Sequence, residues 1–218
     1  MKRNVLNLLL VLAVSSAVIG CKKKADEAKT TDAVEASDAN MNAVKYLANT
    51  AESVITWKGF KPTGTHNGTI NVESGVLNVN NGKVESGSFL IDMNSIADLD
   101  MPADDENNAK LVGHLKSADF FDVEKYPSAA FEVTGFEEKD GKTMLSGNLT
   151  LKEKKNNVSF PVSVVEGNDD VTLTSEAFTI DRSKWDVKYG SKSFFDDLGD
   201  KFINDDIELT ITLKAKKS

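Results

Sequence analysis

Leu145-Ser146-Gly147-Asn148-Leu149-Thr150-Leu151-Lys152-Glu153-Lys154-Lys155-Asn156-Asn157-Val158-Ser159-Phe160-Pro161-Val162-Ser163-Val164 decides the fold class. Leu145, Gly147, Leu149 and Leu151 alternate with Ser146, Asn148, Thr150 and Lys152. Val158, Phe160, Val162 and Val164 alternate with Ser159, Pro161, Ser163 and Val165. A period of two puts one residue set on each face of a pleated strand. Lys155-Asn156-Asn157 between the two runs is turn chemistry, so the stretch reads as a hairpin.

The same period recurs outward in both directions. Phe89, Ile91 and Met93 alternate with Ser88, Leu90 and Asp92, and Phe131 and Val133 mark a strand within Ala130–Phe136. Val171 and Leu173 start another, Phe178 and Ile180 a short one, and Ile207, Leu209, Ile211 and Leu213 close the chain. Asn80-Asn81-Gly82, Lys139-Asp140-Gly141-Lys142 and Gly167-Asn168-Asp169-Asp170 supply turns between them. Short strands joined by hairpin signals predict an all-β fold, an antiparallel barrel or sandwich. Two excursions break the pattern. Ala103–Phe121 reads as helical, with Asp104 and Asp105 suited to a helix N-terminus and Leu111 and Leu115 on one face. Lys192–Asn204 predicts a shorter helical turn. Both are placed to cap a barrel mouth.

The N-terminus reads as an export signal over residues 1–20. Lys2 and Arg3 precede the apolar run Val5–Val14, which is shorter than the roughly 20 residues a membrane span needs. Val18-Ile19-Gly20-Cys21 then resembles the lipobox of bacterial lipoproteins, with a small residue before the cut and a thiol to accept a diacylglyceryl group. Cys21 is the only cysteine of the chain, and it is the expected lipidation site. Residues 21–43 are polar, with Val34 the one large aliphatic before Met41. They are read as a flexible tether, because so little apolar surface cannot offset the entropy of ordering it. The β-domain is expected over residues 44–218. The expected location is outside the cytoplasm, on the periplasmic side or the cell surface, anchored to the outer membrane.

Composition narrows the function. The formal charge is −8, and loss of Lys2 and Arg3, the only charges of residues 1–20, takes it to −10. Nucleic-acid affinity rests on neutralising phosphates, so no nucleic-acid partner is expected. One cysteine excludes a disulfide framework and a cysteine-rich metal site.

His114-Leu115-Lys116-Ser117-Ala118-Asp119-Phe120-Phe121-Asp122-Val123-Glu124-Lys125-Tyr126-Pro127 resembles the signature of the YceI-like family. Gly147-Asn148-Leu149-Thr150-Leu151-Lys152, Asp181-Arg182-Ser183, Trp57-Lys58-Gly59 and His66-Asn67-Gly68 follow that family's weaker motifs in order. Relatives often carry Gly-Thr after the Leu-Thr-Leu-Lys, where this chain has Glu153-Lys154, which alters a hairpin turn. The resemblance implies a lipocalin-like antiparallel barrel of about eight strands, with an apolar cavity for a polyisoprenoid, quinone-like or fatty-amide ligand. Trp57, Phe60, Phe89, Phe131, Phe160, Phe178 and Trp185 are the aromatic residues expected to point inward, as core or as ligand contacts. Phe120, Phe121 and Phe194, with Phe195 beside it, lie in the excursions and are candidates for the cavity entrance. Arg182 is a candidate partner for a ligand phosphate or carboxylate, although an arginine so placed more often bonds within the fold.

Other chemistry finds little support. His66 and His114 are far apart in sequence and have no local ligand partner, and a metal site needs three or four converging ligands. Asp98, Asp100, Asp104, Asp105 and Glu106 lack the spacing of a calcium loop and read as a solvated loop. No catalytic residue, metal or cofactor is expected, since no nucleophile elbow, phosphate loop or His-Glu-x-x-His motif is present. The expected function is binding or carrying a lipid. Its rivals are a structural or stress-related envelope module and an enzyme acting on a lipid head group.

Overall fold

The computed structural model describes residues 25–218. The strands run β1 (Asp26–Glu27), β2 (Lys29–Asp32), β3 (Val44–Ala48), β4 (Val54–Lys61), β5 (Gly64–Asn80) and β6 (Lys83–Asp98). After the helix α1 (Glu106–Lys116) come β7 (Ser128–Lys139), β8 (Lys142–Leu151), β9 (Lys154–Glu166), β10 (Asp170–Ser175), β11 (Phe178–Asp181) and β12 (Asp206–Lys217). Strands β4 to β10 pair in succession, and β12 bonds both β10 and β4, closing an antiparallel ring of eight strands. The period-two residues point into the ring: Leu145, Leu151, Val158, Phe160, Val171, Leu173 and Leu213 are all buried. Of the barrel and sandwich that the alternation allows, this closed ring is the barrel, as the family resemblance implies.

Two local readings are corrected. The β8–β9 turn is the pair Lys152 and Glu153, at φ 49° and 66°, and Lys155, Asn156 and Asn157 belong to β9. Asn157 stays in the strand because its amide is used there, donating to Thr134 Oγ1 at 2.7 Å and to Asn148 Oδ1 at 3.1 Å.

Residues 25–43, expected as a flexible tether, are instead tied down. They lie on the barrel. Between β9 and β11 the ring has a seam, since β10 bonds only Val162–Glu166 of β9. Strand β2 pairs antiparallel with Asn156–Ser159 of β9, and β1 pairs in parallel with Phe178 and Thr179 of β11. The segment docks through its backbone. It needs no apolar stripe, because it satisfies two strand edges that otherwise present unpaired N–H and C=O groups. Ala28, 4% exposed, is the small residue that turns inward between the two short strands, and its N–H donates to Thr179 O at 2.8 Å. The sheet therefore begins at Asp26. The signal segment and Cys21 lie outside the described residues.

Helix α1 starts where the acidic pair predicts, with Asp105 as N-cap accepting from Asn107 N–H at 2.8 Å. It ends at Ser117, whose N–H and hydroxyl both donate to His114 O. The chain then folds back under the helix through Asp122, at φ 49°, whose carbonyl accepts from Lys125 and Tyr126 N–H. In Lys192–Asn204 the helical turn is a single 3-10 turn, Gly199–Lys201.

Candidate functional site

The two ends of the barrel are packed differently. One is filled by its own side chains. Phe160 and Phe178, each 2% exposed, stack with ring centroids 4.2 Å apart, and Phe131 tilts against Phe160 at 5.9 Å. The Phe131 ring occupies the space that a Cβ at Gly147 would need, 2.1 Å from that position, and Phe89 does the same over Gly75. Of the two roles open to these four phenylalanines, they fill the core one, Phe160 and Phe178 buried within it and Phe89 and Phe131 partly buried against it. Trp185 is fully buried and does not line the cavity; its indole N–H donates to Leu149 O at 2.9 Å. Phe194 is 44% exposed, with the Lys188 ammonium over its ring. It is not part of the cavity lining.

The other end holds a cavity of about 270 Å³ with an almost wholly apolar lining. Its walls are Ile55 and Trp57 of β4, Ile91 and Met93 of β6, Leu149 and Leu151 of β8, and Ile207 and Leu209 of β12. Leu111, His114 and Leu115 of α1 close it from above with Phe120 and Phe121. Phe60 and His66 stand at its rim. Of the anticipated contacts, Trp57, Phe60, Phe120, Phe121 and Arg182 line this space. The cap is an aromatic cluster: His114 packs edge-on against Phe120 at 5.3 Å and Tyr189 at 4.5 Å.

Arg182 is bonded within the fold. It is 1% exposed, and its guanidinium donates to the carbonyls of Asn204 at 3.1 Å, Val187 at 2.6 Å and Ile203 at 3.1 Å. Asp205 Oδ1 lies 3.3 Å from it, an ion pair without a directed hydrogen bond. Burial pulls its pKa below the ordinary arginine value, and Asp205 and Asp181 oppose that. Three of its five N–H groups are thus spent on carbonyls, and its guanidinium carbon lies 5.3 Å from the Phe120 ring centroid. It ties the backbone at Ile203 and Asn204 to Val187.

Two polar features stand at this end. The indole N–H of Trp57 is buried and has no hydrogen-bond partner among the described residues. Trp57 pairs across the sheet with Gly68, where a Cβ would lie 2.8 Å from the indole, so the glycine gives the ring its place. His66, read from sequence as lacking a partner, has Nδ1 3.0 Å from Asp100 Oδ2, and Asp98 joins them. Sequence spacing hid this group, because β5 and β6 bring it together across a long hairpin.

The profile of the YceI-like domain matches residues 46–215. This chain belongs to the YceI-like family. A UPF0312 protein of Vibrio vulnificus is 34% identical over 122 residues, 51% of this chain and 61% of that protein. A UPF0312 protein of Vibrio campbellii is 32% identical over 139 residues, 58% of this chain and 70% of that protein. The match to the V. vulnificus protein thus spans about three fifths of its length. The fold is similar to that of Burkholderia cenocepacia BcnA, with a TM-score of 0.60 at 21% identity, covering 78% of this chain and 99% of that one. It is also similar to a polyisoprenoid binding domain from Saccharophagus degradans implicated in plant cell wall breakdown, with a TM-score of 0.57 at 12% identity, covering 80% and 99%.

Proposed function

We propose that this protein binds one amphipathic lipid, with an isoprenoid-like tail, in the capped cavity and performs no chemistry on it. The observation that carries the proposal is the cavity itself: about 270 Å³ of nearly unbroken apolar surface kept open at one end of a barrel whose other end is packed solid. That volume lies near the lower end of ligand sites, which suits one slender chain. Burying such a chain yields about 0.8 kcal/mol per methylene. The similar fold of a polyisoprenoid binding domain supports this ligand class.

The proposal extends to the anchor. A lipidated Cys21, outside the cytoplasm, would hold the barrel at the membrane. Five residue steps separate Cys21 from β1, at most about 17 Å of extended chain. The barrel would thus be held against the membrane surface, within reach of lipids leaving it.

A thermal-shift series tests the binding. A ligand bound only by the folded state stabilises it by RT ln(1 + [L]/Kd). Saturating quinones, polyprenyl phosphates or fatty amides are expected to raise Tm for at least one class. An unchanged Tm with all three, for protein stripped of lipid by detergent exchange, contradicts the proposal and favours a structural module.

A further inference from the structure

We propose that His66, Asp98 and Asp100 form a binding site for a divalent transition-metal ion, zinc-like in its ligand preference, at the rim of the cavity. One donor atom from each residue lies within 4.8 Å of the other two. His66 Nδ1 and Asp100 Oδ2 are 3.0 Å apart, near the separation of two ligand atoms that each sit about 2.1 Å from one zinc ion.

Asp98 is the independent sign that something positive belongs here. It is 6% exposed, yet it is an acid placed within hydrogen-bonding reach of a second acid, Asp100. Its Oδ2 accepts from Met101 N–H at 3.1 Å and from the Asn108 amide at 3.2 Å. Its Oδ1 is buried with no partner among the described residues. A buried carboxylate oxygen left in this state is costly unless a proton or a cation meets it.

The surroundings are those of a fixed ligand set. Asp100 Oδ1 accepts from Asn67 N–H at 2.6 Å, and Asn108 also donates to Met101 O at 3.0 Å. Such outer bonds orient carboxylates for metal. One imidazole and two carboxylates suit zinc and its neighbours better than calcium, which takes six to eight oxygens. Three protein ligands leave a coordination position open. Because His66 also lines the cavity, an anionic or carbonyl head group is the chemistry that position would take. That last role rests on the lipid proposal, whereas metal binding does not.

The test is equilibrium dialysis of the full-length, detergent-purified protein, first freed of metal by chelation, against Zn²⁺, with no lipid added. About one Zn²⁺ per chain is expected. Asp98→Asn preserves size and gives Asp100 a donor, so it should fold at least as well as the wild type, and it should weaken Zn²⁺ binding at least ~10-fold. His66→Gln should do the same, while His114→Gln should leave binding unchanged. No stoichiometric Zn²⁺, or equal binding by wild type, Asp98→Asn and His66→Gln, would overturn the site and leave a shared proton between the two acids. Neither result bears on whether lipid enters the cavity.

Discussion

Asn148 hydrogen-bonds both backbone groups of Val34: Val34 N–H donates to Asn148 Oδ1 at 3.1 Å, and Asn148 Nδ2 donates to Val34 O at 2.7 Å. One buried side chain thereby continues, beyond the last residue of β2, the pairing that β9 gives to β2. Asn148→Ala leaves both groups of Val34 without that partner. A loss of about 1–3 kcal/mol is expected, together with faster amide exchange at Val34 and at Ser37, whose N–H is bonded to Val133 O. Urea unfolding combined with hydrogen exchange checks this. Unchanged protection over residues 33–37 would mean that the segment is held by something other than Asn148.

Glu153 adopts φ 66° in the β8–β9 turn, a left-handed conformation that favours glycine. Its side chain accepts only an exposed bond from the Tyr126 hydroxyl at 3.2 Å. Glu153→Gly relieves the Cβ clash and is expected to raise stability by up to about 1 kcal/mol, measured as a higher urea midpoint at unchanged slope. A lower midpoint would show that the Tyr126 bond outweighs the strain.

Tyr46 is 2% exposed and donates its hydroxyl to Glu166 Oε1 at 2.9 Å. Burial, and then the Glu166 carboxylate, hold its phenol above the usual value of 10.0. The phenol is neutral in both states below about pH 10. Above that, the unfolded chain ionises first, so this stability is lost as pH rises through the folded value. Melting temperatures between pH 8 and 11 are expected to fall more steeply for the wild type than for Tyr46→Phe. Parallel curves would contradict this.

The anchor proposal fixes a mass. Mature protein from its native membranes is expected to begin at Cys21 and to carry a diacylglyceryl group, so the thiol should resist alkylation. An unmodified thiol, or a mature N-terminus elsewhere, would remove the membrane tether.

Much of the barrel is legible in the sequence because one-sided burial forces period two, as in Leu145–Leu151 and Ile207–Leu213. Strand β5 is not, since bulges at Thr69/Asn71, Val72/Ser74 and Asn78/Val79 break its alternation. The docking of residues 26–37 is invisible because backbone and one asparagine do the work that apolar side chains usually signal. The division between filled and open ends is equally hidden. Phe160 and Trp57 occupy similar inward positions, and only the neighbouring Gly147 and Gly75, which let Phe131 and Phe89 fold in, separate plug from cavity. His66 and Asp98 meet through strand register, which spacing along the chain does not encode.

Ala129, 3% exposed, lines the open end, and Ala129→Trp would put an indole where a lipid tail would lie. Native mass spectrometry of gently purified wild type and Ala129→Trp, with organic extraction of any adduct, is therefore the most direct measurement. A stoichiometric lipid adduct is expected on the wild type and none on Ala129→Trp, with both folded by circular dichroism. A wild-type mass that stays bare after incubation with quinones, polyprenyl phosphates and fatty amides, or an adduct that persists on Ala129→Trp, would contradict binding in this cavity.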